Sequence, residues 1–310
     1  MRYMITDGLW AAMEPLVNQA KRHRGGQPPV LPDRMFFEAT LYLARTGIPL
    51  RDLPGEFGAW DAVYNRFRRW VASGALARLF ALMTADPQFG DVRRVLVDST
   101  IVRAHRHAAG AVRKTKHLGA AESARRQGLG RSRGGLTSKI VLTAADEGTA
   151  IAVDVRPGQA HDAPLLKPML KRTAARVGRV DQVVGDKAFD GRPQRRACAA
   201  IGAAAVIPAK SNRVAPEPLD RGAYRERNRV ERLFAKLKEF RRVATRYEKL
   251  KQTFLGMIHL ALGFIRLRAR INVNTAYTTV GVRPRATPRR TATGSACRSR
   301  RRCPEGSADG

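Results

Sequence analysis

The run Val95-Leu96-Val97-Asp98-Ser99-Thr100-Ile101-Val102 is dense in branched apolar residues and carries one carboxylate near its middle. Such residues fit a pleated, half-buried surface, so the run predicts a strand. Two further runs of this kind, 138–143 and 149–155, follow it at turn-separated intervals. His161-Asp162 then leads into a helix over 163–177, and a strand follows over 181–185. A helix over 191–201, a short strand over 205–208, a long helix over 222–250 and an apolar one over 253–271 complete the order. Three strands, then helix, strand, helix, strand, helix describes an α/β protein: a mixed sheet with flanking helices.

An acid inside a buried strand is costly unless it meets a cation. Asp98 is one such acid, and Asp186, directly after Val183-Val184-Gly185, is a second. The third is Glu231, on the long basic helix. At 100° per residue, Tyr224, Arg227, Glu231 and Lys238 share a stripe about 60° wide. Val230, Leu233, Leu237 and Phe240 centre roughly 110° away by the same arithmetic. The helix should pack on that apolar side and offer an acid flanked by cations on the other. Taken singly, an Asp at a strand end is commonly a turn cap, and a Glu among arginines an ion-pair partner. Taken together, carboxylates from strands and a helix suit a hard cation, Mg²⁺ or Mn²⁺. Paired ions of this kind activate an attacking oxygen and stabilise the leaving oxygen in phosphoryl transfer. Arg227 and Lys238 would hold phosphates beside them, and Tyr224 would stack on an unpaired base.

The charge balance supports that chemistry. The 310 residues hold 58 Lys+Arg against 26 Asp+Glu, a formal net charge of +32. This argues against a catalyst of small neutral metabolites and for a polyanionic partner, nucleic acid first and a membrane surface second. Residues 1–92 hold 11 basic and 9 acidic residues, leaving 47 and 17 for the remainder, so the excess lies in the second part. It concentrates in 103–139 and 221–251, the first including a glycine-rich loop with Arg131 and Arg133. That loop lacks the GK[ST] of a nucleotide-binding P-loop, so no ATP is expected. The apolar stretch 254–265 is too short to span a bilayer, so no membrane is expected. Three scattered cysteines and no leader point to the cytoplasm, in company with the nucleoid.

Residues 1–85 read as a small all-α domain. Asp7 caps a helix over 8–23, broken by Gly25-Gly26-Gln27-Pro28-Pro29; Pro32-Asp33 opens a second, stopped near Gly47; a third covers 59–72. On the third, Trp60, Val63, Tyr64, Phe67 and Val71 form the inner face, with Arg66, Arg68 and Arg69 outside. Helices ending in one with outward arginines fit a helix-turn-helix-like unit, with Arg66 and Arg69 as DNA contacts; an ordinary helical bundle fits the same spacing. From about residue 275 the chain is rich in Arg, Thr, Pro and Gly without apolar period, which predicts a basic disordered tail over 275–310. The catalytic part is bounded at 93–272.

The stretch Tyr224-Arg-Glu-Arg227-Asn-Arg-Val-Glu231-Arg-Leu-Phe-Ala-Lys-Leu-Lys238 matches a Y-x2-R-x3-E-x6-K signature. It resembles bacterial insertion-sequence transposases of the DDE class, most closely the group named for insertion sequence five. Val97 to His105, Gly130 to Lys139, Gly158 to Asp162 and Gly185 to Asp190 extend the similarity, as do Arg45 to Pro54 and Trp60 to Trp70. Ala188 and Phe189 stand where that group commonly has Gly and Tyr. The resemblance implies an RNase H-like core with Asp98, Asp186 and Glu231 as metal-binding catalytic triad. It also implies Tyr224, Arg227 and Lys238 as contacts to element-end DNA, and action as a homo-oligomer on paired ends. The expected activity is cutting at the element's terminal repeats and joining the 3′-OH ends to target DNA. A plain metal-dependent nuclease and a non-catalytic DNA-binding regulator are the rival readings.

Weaker features have blander explanations. His105 and His107 lack a third ligand at metal-binding spacing and, with His117, read as phosphate contacts. Asp162 reads as the N-cap of the 163–177 helix, with His161 beside it as a metal-site candidate. Asp154 and Asp190 are rival acids for the triad, the second also placed to cap a helix.

Overall fold

The computed structural model describes residues 3–21, 29–85, 92–109, 111 and 119–280. The break at 25–28, the basic loop around His117 and the tail beyond residue 280 lie outside the described residues.

The expected first strand is the sheet's centre. β1 (Arg94–Ala104) pairs antiparallel with β3 (Gly135–Ala144) on one side and parallel with β5 (Gln182–Val184) on the other. β2 (Gly130–Ser132) makes a hairpin with the start of β3, and β4 (Ala150–Pro157) lies antiparallel along β3. β6 (Ala204–Val206) extends the parallel side, and β7 (Thr245–Arg246) joins β1 at Arg103 and Ala104. Without the two short flanking strands, the order β4-β3-β1-β5-β6 is the RNase H-like arrangement.

Both sheet faces are covered, and alternation along β1 separates them. Val95 and Val97 join Val183, Leu166, Leu170 and Cys198 under α6 (Ala163–Ala174) and α7 (Arg192–Ala199). Leu96 and Val102 join Ile140 and Leu142 on the opposite face, in a core shared with the N-terminal helices. Those helices are α1 (Asp7–Ala20), α2 (Asp33–Thr46), α3 (Trp60–Ala72) and α4 (Ala75–Met83). A short helix, α5 (Ala120–Gln127), precedes the β2–β3 hairpin.

Thr6, rather than Asp7, caps α1: its hydroxyl accepts from the Leu9 amide at 3.3 Å, while Asp7 pairs with Arg34 at 2.7 Å. The short turn falls after the arginine helix, at Ser73-Gly74, where Gly74 has φ 72°. Between α2 and α3 the chain makes two single 3-10 turns, Leu50–Asp52 and Gly55–Phe57.

The long basic helix is broken into α8 (Arg221–Arg225), α9 (Asn228–Lys238) and α10 (Arg241–Ala244). The amides of Glu226, Arg227, Arg229 and Val230 bond three residues back instead of four, tightening the chain between α8 and α9. The last helix, α11 (Lys251–Val280), takes in residues 275–280, expected in the tail. It lies close against the N-terminal helices because of two glycines. A Cβ on Gly256 would stand 2.8 Å from Val71 Cγ2, and one on Gly263 2.9 Å from Met83 Sδ.

Candidate active site

The parallel pairing of β1 and β5 brings two acids level. Leu96 pairs with Val184, so Asp98 stands two residues further along β1 and Asp186 the same distance on, just past the end of β5. Gly185 permits the approach: a Cβ there would meet Val97 Cγ1 at 3.0 Å. Asp186 Oδ1 accepts from the Ala188 amide at 2.8 Å, capping the 3-10 turn Lys187–Phe189. Phe189 is fully buried beneath that turn, so a phenyl ring serves where the related group has a tyrosine.

Asp98 is 8% exposed. Its Oδ1 accepts from the Ser99 amide at 2.8 Å and its Oδ2 from Arg227 at 3.2 Å. Burial pushes the Asp98 carboxyl above its ordinary range; Arg227 and the Ser99 amide pull it back, and the charges of Asp186 and Glu231 push it further up. Arg227 also donates to Glu231 Oε1 at 2.6 Å, four residues along, so its guanidinium bridges the strand acid and the helix acid. Burial lowers the Arg227 pKa, but Asp98 and Glu231, followed by Tyr224 and Asp186, outweigh it and leave it raised. The three acids therefore share one electrostatic neighbourhood with Arg227 among them. Among the described residues no three His, Cys, Asp or Glu side chains close on a single point. The donors are nonetheless the hard-oxygen type that a divalent cation takes, and Asp98 is a buried carboxylate whose charged form burial disfavours even beside Arg227.

The rival acids are occupied. Asp154 pairs with Arg156 at 2.9 Å and Lys251 at 2.7 Å, and Asp190 with Arg195 at 3.1 Å and Arg213 at 2.8 Å. Asp162 stands at the N-cap of α6 but makes no capping bond. Its Oδ1 instead accepts from the Ser99 hydroxyl at 2.7 Å and from the buried Lys139 ammonium at 2.8 Å. Capping is a local preference; a strand hydroxyl and a buried cation outcompete it here.

The expected DNA contacts separate by exposure. Lys238, Arg69, Arg131 and Arg133 are exposed, the last two on the β2–β3 hairpin; Tyr224 is half-buried against the helical core. Arg66 does not point outward as expected. It is 6% exposed, ion-paired to Asp33, bonded to the Leu31 carbonyl and laid over Phe36 at 4.6 Å. Arg66 faces inward because Asp33 and an aromatic ring meet its otherwise costly buried charge. His105 stacks on Tyr247 at 5.1 Å, and His161 is exposed.

Sequence reasoning missed Arg246. Its side chain is fully buried, donating to Ser138 Oγ at 2.6 Å and to the carbonyls of Gly128 and Glu248 at 3.0 and 2.8 Å. Burial pushes its pKa down to about 10. The arginine thereby ties the segment after α10 to the β2–β3 hairpin. Ser99 and Lys139 were missed as partners of Asp162.

Sheet order and acid placement define the RNase H-like class. Residues 90–264 match a family model described as "Transposase DDE domain", and residues 5–80 one described as "Putative transposase of IS4/5 family". The first covers more than half of the chain, which belongs to the DDE transposase family. An uncharacterised protein of Sinorhizobium fredii is 41% identical over 90 residues, 29% of this chain and 70% of that one. A Brucella ovis protein titled "Putative transposase for insertion sequence element IS6501" is 31% identical over 134 residues, 43% of this chain and 100% of that one. An uncharacterised 16.2 kDa protein of insertion element IS402 from Burkholderia cepacia is 36% identical over 108 residues, 33% of this chain and 74% of that one. Among solved structures, a piggyBac transposase synaptic complex with hairpin DNA aligns with TM-score 0.47 and 10% identity, covering 87% of this chain and 74% of that one. No helix among the described residues is long and apolar enough to cross a membrane.

Proposed function

We propose that this transposase cuts DNA at insertion-element ends and joins the freed 3′-OH ends to target DNA, with Asp98, Asp186 and Glu231 as its catalytic acids. The observation that carries this reading is the buried Asp98, level with Asp186 and bridged through Arg227 to Glu231. Asp98, Asp186 and Glu231 would hold Mg²⁺, or Mn²⁺ in its place. A bound divalent ion supplies Lewis acidity to the attacking and leaving oxygens of an in-line phosphoryl transfer.

The remaining work falls to the chain's own groups. Arg227 would exchange Glu231 for a DNA phosphate; the exposure of Glu231, which makes such an ion pair weak, supports this reading. Its bidentate fork would fix the scissile phosphate beside Asp98. Lys238, further along α9, would hold a neighbouring phosphate, and Tyr224 would stack on an unpaired base. Arg131 and Arg133 on the hairpin and Arg69 on α3 would contact the duplex. The protein would work on double-stranded terminal repeats and target DNA as a homo-oligomer, in the cytoplasm. Transesterification conserves phosphodiester bonds, so the reaction needs no ATP.

Cleavage of a duplex carrying the element's terminal repeat, with Mg²⁺ present, tests the assignment. Asp98→Asn, Asp186→Asn and Glu231→Gln should each slow cutting on the order of a thousandfold, several kcal/mol of transition-state stabilisation, while still binding the end. Equal activity in Glu231→Gln and the parent chain would sink the triad. A precut end incubated with target plasmid separates a transposase, which joins the two, from a plain nuclease, which does not.

A further inference from the structure

We propose that Asp162 is a positioning residue for Asp98, acting through Ser99 from the opposite face of the sheet. The proposal rests on the reading of Asp98 as the metal-holding acid of β1.

Successive residues of a strand point to opposite faces, so Asp98 faces α9 while Ser99 faces α6. The Ser99 residue thus has two anchors. Its amide donates to Asp98 Oδ1 at 2.8 Å, and its hydroxyl donates to Asp162 Oδ1 at 2.7 Å. A chain of bonds therefore runs through the sheet, from the start of α6 to the carboxylate on the other side. Fixing the Ser99 side chain fixes the amide that orients Asp98.

Two observations set Asp162 apart from a surface acid that happens to meet a serine. It occupies the N-cap position of α6 yet makes no capping bond, leaving its ordinary local use unfulfilled. It also neutralises Lys139, whose side chain is 8% exposed, at 2.8 Å. A partly buried Lys–Asp pair is weak evidence of stabilisation, since desolvation offsets much of the attraction. Directional control of a neighbouring group is the function that such a pair performs well. Lys139 stands opposite Ile101 on β3, so the ammonium reaches Asp162 from the strand adjoining β1. Outer partners of this kind set the orientation and basicity of a metal ligand.

The test uses the full chain with Ser99→Ala, Ser99→Thr, Asp162→Asn and the double variant Ser99→Ala/Asp162→Asn. In metal-free protein, hydrogen exchange at the Ser99 amide should quicken in Ser99→Ala and Asp162→Asn, and return toward the parent rate in Ser99→Thr. End-DNA affinity without metal should stay within about twofold, whereas cleavage should fall about ten- to a hundredfold, with a higher half-saturating Mn²⁺ concentration. The double variant should be no worse than either single one, because both break the same chain. Parent-like exchange in Ser99→Ala and Asp162→Asn would overturn the proposal. So would additive losses in the double variant, or losses that threonine does not rescue. Exchange is read without metal or catalysis, so a failure of the triad assignment leaves that arm interpretable.

Discussion

Asp98 is held against its own ionisation. Burial raises its pKa, and two neighbouring acids add to the rise beyond what Arg227 and an amide offset. An acid whose folded pKa exceeds its unfolded one lowers stability as pH climbs through the folded value. Asp98→Asn should therefore stabilise the metal-free protein at neutral pH while slowing cleavage on the order of a thousandfold, the usual exchange at a functional site. Urea melts in EDTA check this, and the gap between variant and parent should close toward acid pH. His259 behaves in the contrary sense. It stacks on Phe80 at 4.8 Å, and burial lowers its pKa from 6.5 to about 4. Neutral His259 contributes stability that is complete above pH 6.5 and lost as pH falls toward 4, at most about 3 kcal/mol. His259→Leu should flatten the stability profile across that interval, measured as the urea midpoint against pH.

Among elements, the informative contrast lies between arginines that look alike in sequence. Arg66 and Arg69 sit three residues apart on α3, one buried on Asp33 and the other exposed. Arg69→Ala or Arg131→Ala should lower the salt slope of DNA affinity by about one each, whereas Arg66→Ala should cost about 3 kcal/mol in folding and leave the slope unchanged. Filter binding across a salt series, alongside thermal melts, separates the two. The strands and most helices were legible because apolar periodicity is local: Asp98 on β1 and Asp186 past β5 stand where alternation and the closing glycine place them. The α8–α9 break was not legible, since a wheel of 100° steps has no means of showing bonds made three residues back. The pairing of Arg227 with Glu231 survived because it needs only the four-residue spacing across the first turn of α9. Asp162 stands at the expected N-cap position, but the partners of its side chain were not legible because they are 63 and 23 residues distant. Arg246 was overlooked because a charge pattern shows a cation without showing its burial.

At the scale of the molecule, one apolar core runs from the N-terminal helices into the sheet. Met13, Phe36 and Phe80 belong to the same buried cluster as Leu96, Ile140 and Leu262. Calorimetry should accordingly record one cooperative transition for the helical part and the sheet; two separable peaks would count against that continuity. The net charge of +32 also acts at this scale, since a polyanion relieves the repulsion among so many cations. The order in which the acids appear along the chain has a consequence for synthesis. Asp98 and Asp186 leave the ribosome well before Arg227 and Glu231, yet Arg227 supplies the positive charge against Asp98. A nascent or prematurely released chain ending short of α9 carries both strand acids with neither their counter-charge nor the third acid. On the proposed assignment of the three acids, the ability to break DNA would be acquired late in translation, and an early frameshift or stop would yield a product without it.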